Sequence, residues 1–270
     1  MPGQMDAAAV RVLFSPPAKP ATGLVSCVGG AAAAALELIF PSHCAACQEP
    51  LERHGNRYLC LPCARKIRWI GTDRCRRCGD AVGIGSGVVE NCPGCRTHPP
   101  AFIKASCAVA KYGDGPLRDL VLGLKFGARL HLTQFFAQML AERIKVTELS
   151  SAKTLLVPVP VTRKTFFSRH FNQAEEIALC VGRRLNVKVE TRLLQKVRGT
   201  PPQAMLNVGQ RRLNLNGAFA CNPRVALKYS GCTILLLDDV MTTGSTISEC
   251  ARTLNAAGFT HINAAAVARA

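Results

Sequence analysis

The chain has 270 residues, 48% of them hydrophobic, and a formal net charge of +17. The apolar fraction excludes a disordered chain, and the length allows one medium domain plus a small one. The charge points to anionic partners such as phosphates or nucleic acid, although a basic solubilising surface has the same sign. It is uneven: residues 101–220 hold 19 Lys and Arg against 7 Asp and Glu, whereas residues 221–270 hold 4 against 3.

Residues 1–25, rich in Ala and Pro, read as a disordered or transit-like tail. Val28 to Phe40, "VGGAAAAALELIF", is apolar but interrupted by Glu37. It is too short to span a bilayer, and the residues before it make a poor export signal. A short helix packed on the first domain is expected there, and no membrane span.

Residues 41–100 carry little apolar periodicity and cannot build a core without a staple. Four CxxC pairs supply one: Cys44/Cys47, Cys60/Cys63, Cys75/Cys78 and Cys92/Cys95, separated by 12, 11 and 13 residues. Two residues between cysteines let both thiolates face one ion, and two such knuckles complete a tetrahedral S4 site suited to zinc. Redox dithiols and an iron–sulfur cluster are weaker competitors. Sequential pairing gives the sets 44/47/60/63 and 75/78/92/95; interleaved pairing fits the spacing too. Full thiolate ligation leaves no open position, so the metal is structural, and two such sites lower the formal charge from +17 to about +13. His43, His54 and His98 read as surface residues. Cys27, Cys107, Cys180, Cys221, Cys232 and Cys250 lack metal spacing and mostly read as small buried hydrophobes. Metal-binding thiols imply a reducing, cytoplasmic compartment.

"THPPAF" (Thr97 to Phe102) is the exit linker. Beyond it, strands are expected at Ala105 to Tyr112, at Thr154 to Pro160, in the short "VKVE", in "CTILLLD" and in "HINAAAVA". Helical spacing appears at Leu117, Leu120, Val121 and Leu124, over Leu130 to Ile144, over Asn172 to Leu185, and over Thr246 to Ala257 with Gly258 as terminator. Residues 195–216 read as a long polar loop. Strands alternating with helices imply an α/β domain with a mostly parallel sheet covered on both faces.

"ILLLDDVMTTGST" (Ile234 to Thr246) concentrates the chemistry. A buried strand, Thr233 to Leu237, delivers Asp238 and Asp239 to its C-terminal end, the edge where open α/β sheets bind ligands. The next turn enters a helix whose free N–H groups and dipole attract a phosphate. Gly244 permits close approach or positive φ. Thr242, Thr243, Ser245 and Thr246 offer hydroxyls to the same anion. Two acids beside a phosphate cradle make sense if the ligand also carries sugar hydroxyls or Mg2+. A ribose 5-phosphate meets that description.

This stretch resembles the phosphoribosyl-pyrophosphate (PRPP) signature of type I phosphoribosyltransferases. The resemblance implies a Rossmann-like sheet, with Asp238 and Asp239 on the ribose 2′- and 3′-hydroxyls and Thr242, Thr243, Gly244, Ser245 and Thr246 around the 5′-phosphate. "VPVPVTRKTFFSRHFNQAEEIA" (Val157 to Ala178), the zinc-ribbon start, "LKFG" and "RRLNLNGAF" (Arg211 to Phe219) are similar to the ComF/GntX competence-related family, over roughly residues 36–269. By this likeness the loop after "VPVP", with Arg163, Lys164 and Arg169, binds pyrophosphate, and Mg2+ bridges it to the ribose. His170 stands where the family has Gly; if that Gly has positive φ, either His170 is strained or the turn differs, and the pose of Arg169, Asn172 and Gln173 depends on which. The segment with Gln203, Arg211 and Arg212 is read either as a closing loop or as plain surface.

The expected organisation is a tail with a short helix (1–40), a double zinc ribbon (41–100) and a phosphoribosyltransferase-like domain (101–270). The resemblance implies PRPP binding, with phosphoribosyl transfer as the possible reaction, in competence or DNA use. The rival reading is a non-catalytic module binding single-stranded DNA or DNA-processing proteins. A regulator that senses PRPP is a third.

Overall fold

A computed structural model describes residues 43–51, 58–126, 129–199 and 215–270. The expected N-terminal tail and Ala-rich helix, Cys27, His54, Gln203, Arg211 and Arg212 lie outside the described residues.

The N-terminal ribbons contain α1 (Leu61–Lys66), β1 (Arg74–Cys75), β2 (Val88–Val89) and α2 (Pro93–Thr97). Both helices begin at a CxxC knuckle with Pro in the first turn, where its missing N–H costs nothing. Next come β3 (Ser106–Lys111), α3 (Pro116–Phe126), α4 (Leu132–Val146) and β4 (Thr154–Pro158). They are followed by α5 (Arg163–Arg169), α6 (Gln173–Leu185), β5 (Lys188–Val189), β6 (Leu194–Lys196) and β7 (Phe219–Cys221). The chain finishes with α7 (Pro223–Lys228), β8 (Thr233–Met241), α8 (Ser245–Ala256) and β9 (Ile262–Arg269).

Five strands form one parallel sheet in the order β3-β9-β8-β4-β5. Its two faces carry separate cores. Leu235 and Leu237 of β8 join the core built by α3, α4 and α6, while Ile234 and Leu236 join the core built with α8. This alternation follows from the two-residue period of a strand, and it explains why every residue from Ile234 to Leu237 is apolar. The crossovers β4–α6–β5 and β8–α8–β9 lie on opposite faces and step in opposite directions, so the winding reverses between β4 and β8. Ligands bind outside the strand ends at such a reversal.

Three expectations change. The strand expected to end near Leu237 continues to Met241, because β9 stays paired with it as far as Met241↔Arg269. The acids therefore lie within β8. On the other side β4 leaves after Pro158↔Leu237, so from Asp238 onward β8 has a neighbour on one side only. The segment expected to be a loop from residue 195 starts inside β6, which pairs antiparallel with β7; both strands are three residues long, too short to leave a periodic signal. The loop after "VPVP" is the helix α5, capped by Thr162, whose Oγ1 accepts from Thr165 N at 3.1 Å.

The ribbons dock on the outer edge of β3. Trp69 forms an antiparallel bridge with Ala110, Ile70 N donates to Val109 O at 3.0 Å, and Lys111 N donates to Arg68 O at 2.8 Å. The Cys75/Cys78 knuckle adds Ser106 N to Arg76 O at 2.7 Å, and Lys111 Nζ pairs with Asp80 at 2.7 Å. Gly79 has φ +71°, and a Cβ there would sit 3.0 Å from the Cys107 backbone. Among the described residues no helix is long and apolar enough to cross a membrane.

Gly79→Ala is expected to lose about 1–2 kcal/mol from the left-handed backbone alone, with a further loss as the knuckle is pushed off β3. Urea denaturation at unchanged zinc content checks this; unaltered stability would show that the contact with Cys107 is not tight.

Candidate functional site

The knuckles pair sequentially: Cys44, Cys47, Cys60 and Cys63 in one cluster, Cys75, Cys78, Cys92 and Cys95 in the other. The interleaved alternative is thereby removed. Four sulfurs about 2.3 Å from one ion stand about 3.8 Å apart. The sulfurs of Cys47 and Cys60 are 3.7 Å apart, those of Cys78 and Cys92 3.7 Å, and those of Cys75 and Cys95 3.8 Å. Burial and neighbouring sulfurs push the thiols of Cys63 and Cys95 far above the ordinary range, a conflict that a dication resolves. Both clusters fit a structural zinc ion. They differ in access, because the second is wholly buried whereas Cys47 is exposed and Cys60 half-buried. Of the other cysteines, Cys107, Cys180 and Cys250 are buried and Cys221 and Cys232 half-buried. Burial pushes Cys107 up to about 11, so it is an inert thiol.

The β8–α8 junction lines a cavity of about 280 Å³. Asp238, Thr242, Gly244, Ser245 and Thr246 face it, with Tyr112 and Lys125 from other elements. Gly244 has φ 75° and precedes the first helical residue, leaving the first turn of α8 open to the cavity. Thr243 does not line it but supports it: its Oγ1 is 2.8 Å from Ser245 Oγ. Asp239 turns instead to Lys125, whose Nζ lies 2.8 Å from Oδ2. Burial first, and the charge of Asp239 second, push the Asp238 carboxyl up to about 7, against the pull of Lys125.

A second cavity of about 480 Å³ lies beside the first and shares Lys125 with it. Lys164, Thr165, Ser168, Arg169 and Phe126 line it. Lys164 and Arg169 thus come to the site as expected, whereas Arg163 is exposed and lines neither cavity. The Arg169 guanidinium stacks over Phe126, 4.8 Å from the ring centroid. His170 ends α5 with φ 64° and ψ 2°, so the left-handed turn that glycine would make freely is made by histidine. Asn172 then joins α5 to α6: its Nδ2 donates to Val159 O at 3.1 Å and its Oδ1 accepts from Ala174 N at 3.2 Å.

Sequence reasoning missed Lys125. Its signal lay in the helical pattern, because Lys125 falls four residues after Val121 on the buried stripe of α3, where a cation needs a carboxylate.

A family described as double zinc ribbon domain matches residues 35–96. The DNA utilization protein YhgH of Salmonella typhi is 30% identical over 220 residues, covering 80% of this chain and 92% of that protein. The chain belongs to the ComF family. Competence protein F of Haemophilus influenzae, 27% identical over 238 residues, shares 86% of this chain and 98% of its own length. Competence protein ComFC of Streptococcus pneumoniae, 24% identical over 208 residues, shares 77% and 86%. The ComF likeness therefore spans both the ribbons and the sheet.

Two outcomes follow for this ComF chain. Titration with a chelator should release zinc in two phases, the Cys44/Cys47/Cys60/Cys63 ion leaving first, as read by a metal-sensitive dye and native mass spectrometry; a single phase would show that the access difference is immaterial. The second concerns Asp238. Its folded pKa is raised, so the folded form binds that proton more tightly than the unfolded chain, and stability falls as pH rises from about 4 to about 7. Asp238→Asn should stabilise the protein at pH 8 by an amount on the order of 2–4 kcal/mol, and the gain should shrink as pH falls toward 4. A pH-independent difference in thermal unfolding would refute this.

Proposed function

We propose that this chain binds PRPP, or a ligand carrying the same ribose 5-phosphate, where β8 runs into α8, and that it serves competence or DNA utilisation from the cytoplasm. One observation carries the reading: half-buried Asp238 and the hydroxyl-lined start of α8, opened by left-handed Gly244, meet at one cavity. A phosphate there accepts from N–H groups of the first turn and from the hydroxyls of Thr242, Ser245 and Thr246, with Thr243 supporting Ser245 from behind. Asp238 and Asp239 accept hydrogen bonds from the ribose 2′- and 3′-hydroxyls. The pyrophosphate end meets the positive charge of Lys164 and Arg169. In a transfer reaction those cations stabilise the charge that gathers on departing pyrophosphate. The carboxylate oxygens of Asp238 and Asp239 are hard donors that suit Mg2+. Bound Mg2+ would neutralise and polarise the pyrophosphate oxygens.

A second reading, a surface for single-stranded DNA, is favoured by the outside of α5. Phe166 and Phe167 are 45% and 72% exposed, and Phe126 is 68% exposed beside Arg169. Exposed rings interleaved with cations offer stacking for bases and charge for phosphates. The relatives named for competence and DNA utilization agree with this role.

Calorimetry of PRPP with Mg2+ tests the first reading. Wild type should bind, and the double variant Asp238→Asn/Asp239→Asn should lose at least about tenfold in affinity, a typical effect of removing charge-assisted contacts. Absence of binding by wild type would sink it. Release of pyrophosphate with any of a panel of acceptor bases distinguishes transfer from sensing.

A further inference from the structure

We propose that Lys125 is a shared counter-ion that alternates between Asp239, beside the first cavity, and a diphosphate in the second, so that a cation at the acid pair tightens anion binding next door. The choice of diphosphate rests on the PRPP reading; the exchange of partners by Lys125 does not.

Lys125 is the residue the two cavities have in common among their side chains. Its Nζ is 2.8 Å from Asp239 Oδ2, with both side chains largely out of water, 22% and 14% exposed. The second cavity has the opposite electrostatics. Lys125, Lys164 and Arg169 line it with the hydroxyls of Thr165 and Ser168, and among the described residues no carboxylate does. Among the described residues, neither Lys164 nor Arg169 forms an ion pair; Arg169 Nη1 has only the carboxamide of Gln173, at 3.5 Å, and the ring of Phe126. Clustered cations without a counter-ion form an anion site, and a diphosphate carries enough charge and acceptors to engage all three.

Lys125 cannot serve both partners fully. While Asp239 holds it, part of its charge is spent in the first cavity. A cation or ligand that satisfies Asp239 releases it. The backbone of α3 stays fixed during the exchange, because Leu117, Leu120, Val121 and Leu124 pack into one core with Leu59, Ala64 and Ile67 of the first ribbon. Arg129, just beyond the helix, donates to Ala45 O inside the first knuckle at 2.8 Å. The motion is therefore confined to the lysine side chain. The coupling is reciprocal: a diphosphate in the second cavity must also raise the affinity of the acid pair for cations.

Inorganic pyrophosphate is the probe, titrated calorimetrically into the zinc-loaded full chain in buffer freed of other divalent ions. Asp239→Asn should bind it about tenfold tighter than wild type, within the usual range of site-to-site coupling. Lys164→Met with Arg169→Met should abolish that binding, which locates the anion in the second cavity. The decisive arm is Asp239→Asn in a Lys125→Met background. Loss of the tenfold gain there supports the exchange. Persistence of the gain would mean that removing a negative charge acts at long range, and would overturn the proposal; so would equal affinity of wild type and Asp239→Asn, or no pyrophosphate binding by either. Lys125→Arg, which keeps the charge, should retain the gain and serves where Lys125→Met is unstable. PRPP binding can fail while this cycle succeeds, so the two readings fall separately.

Discussion

The outer edge of β3 needs hydrogen-bond partners, and the zinc-held knuckles provide them. A parallel sheet five strands wide leaves two edges, and an open edge strand is a template for unwanted pairing. β5, at one edge, is two residues long and offers little. β3 is six residues long and mostly buried, so it must be covered. The ribbons place Arg68, Ile70 and Arg76 against it. In return the sheet and α3 give the ribbons the apolar surface that their own residues cannot enclose. Neither part is a passenger: Cys44, Ala64 and Ile67 share one core with Leu140 and Val267.

With that edge closed, the sheet can open elsewhere. β4 and β8 run together as far as Pro158 and Leu237, then part. The acids and the hydroxyl-rich turn lie beyond the parting, and α3 brings a lysine across the gap. Half-buried Asp238 is the expensive component: loss of water first, and the carboxylate of Asp239 alongside it second, raise its pKa and cost stability. Such a cost persists in a fold when the ligand, and not the fold, needs the charge.

Much of this was legible in the order of the residues. The Cys spacing announced two S4 sites, and the run from Ile234 to Leu237 announced a strand buried on both faces. The pairing of the knuckles was not legible, because both arrangements satisfy the same spacing and only three-dimensional proximity decides between them. α5 was not legible either. Seven residues with no buried side chain carry no periodic signal, and the helix exists because Thr162 caps one end and His170 accepts a left-handed turn at the other. The length of β8 depends on β9 staying beside it, which is a tertiary fact. Lys125 could have been found, since a lysine on an apolar stripe asks for a partner, but which acid answers is set by the sheet.

The groups that would extend the β4–β8 ladder have a consequence for the thermodynamics of binding. Val159 donates to Leu237 O at 2.8 Å, but the Asp239 N–H, the next donor along β8, is turned to its neighbour's carboxylate, Asp238 Oδ1, at 2.9 Å. Asn172 also takes up the Val159 carbonyl. The next acceptor of β4 and the next donor of β8 are therefore both engaged elsewhere, and the strands part beyond Leu237. An incoming ligand meets a pre-organised cleft, and little of its affinity is lost in prising strands apart or ordering them afterwards.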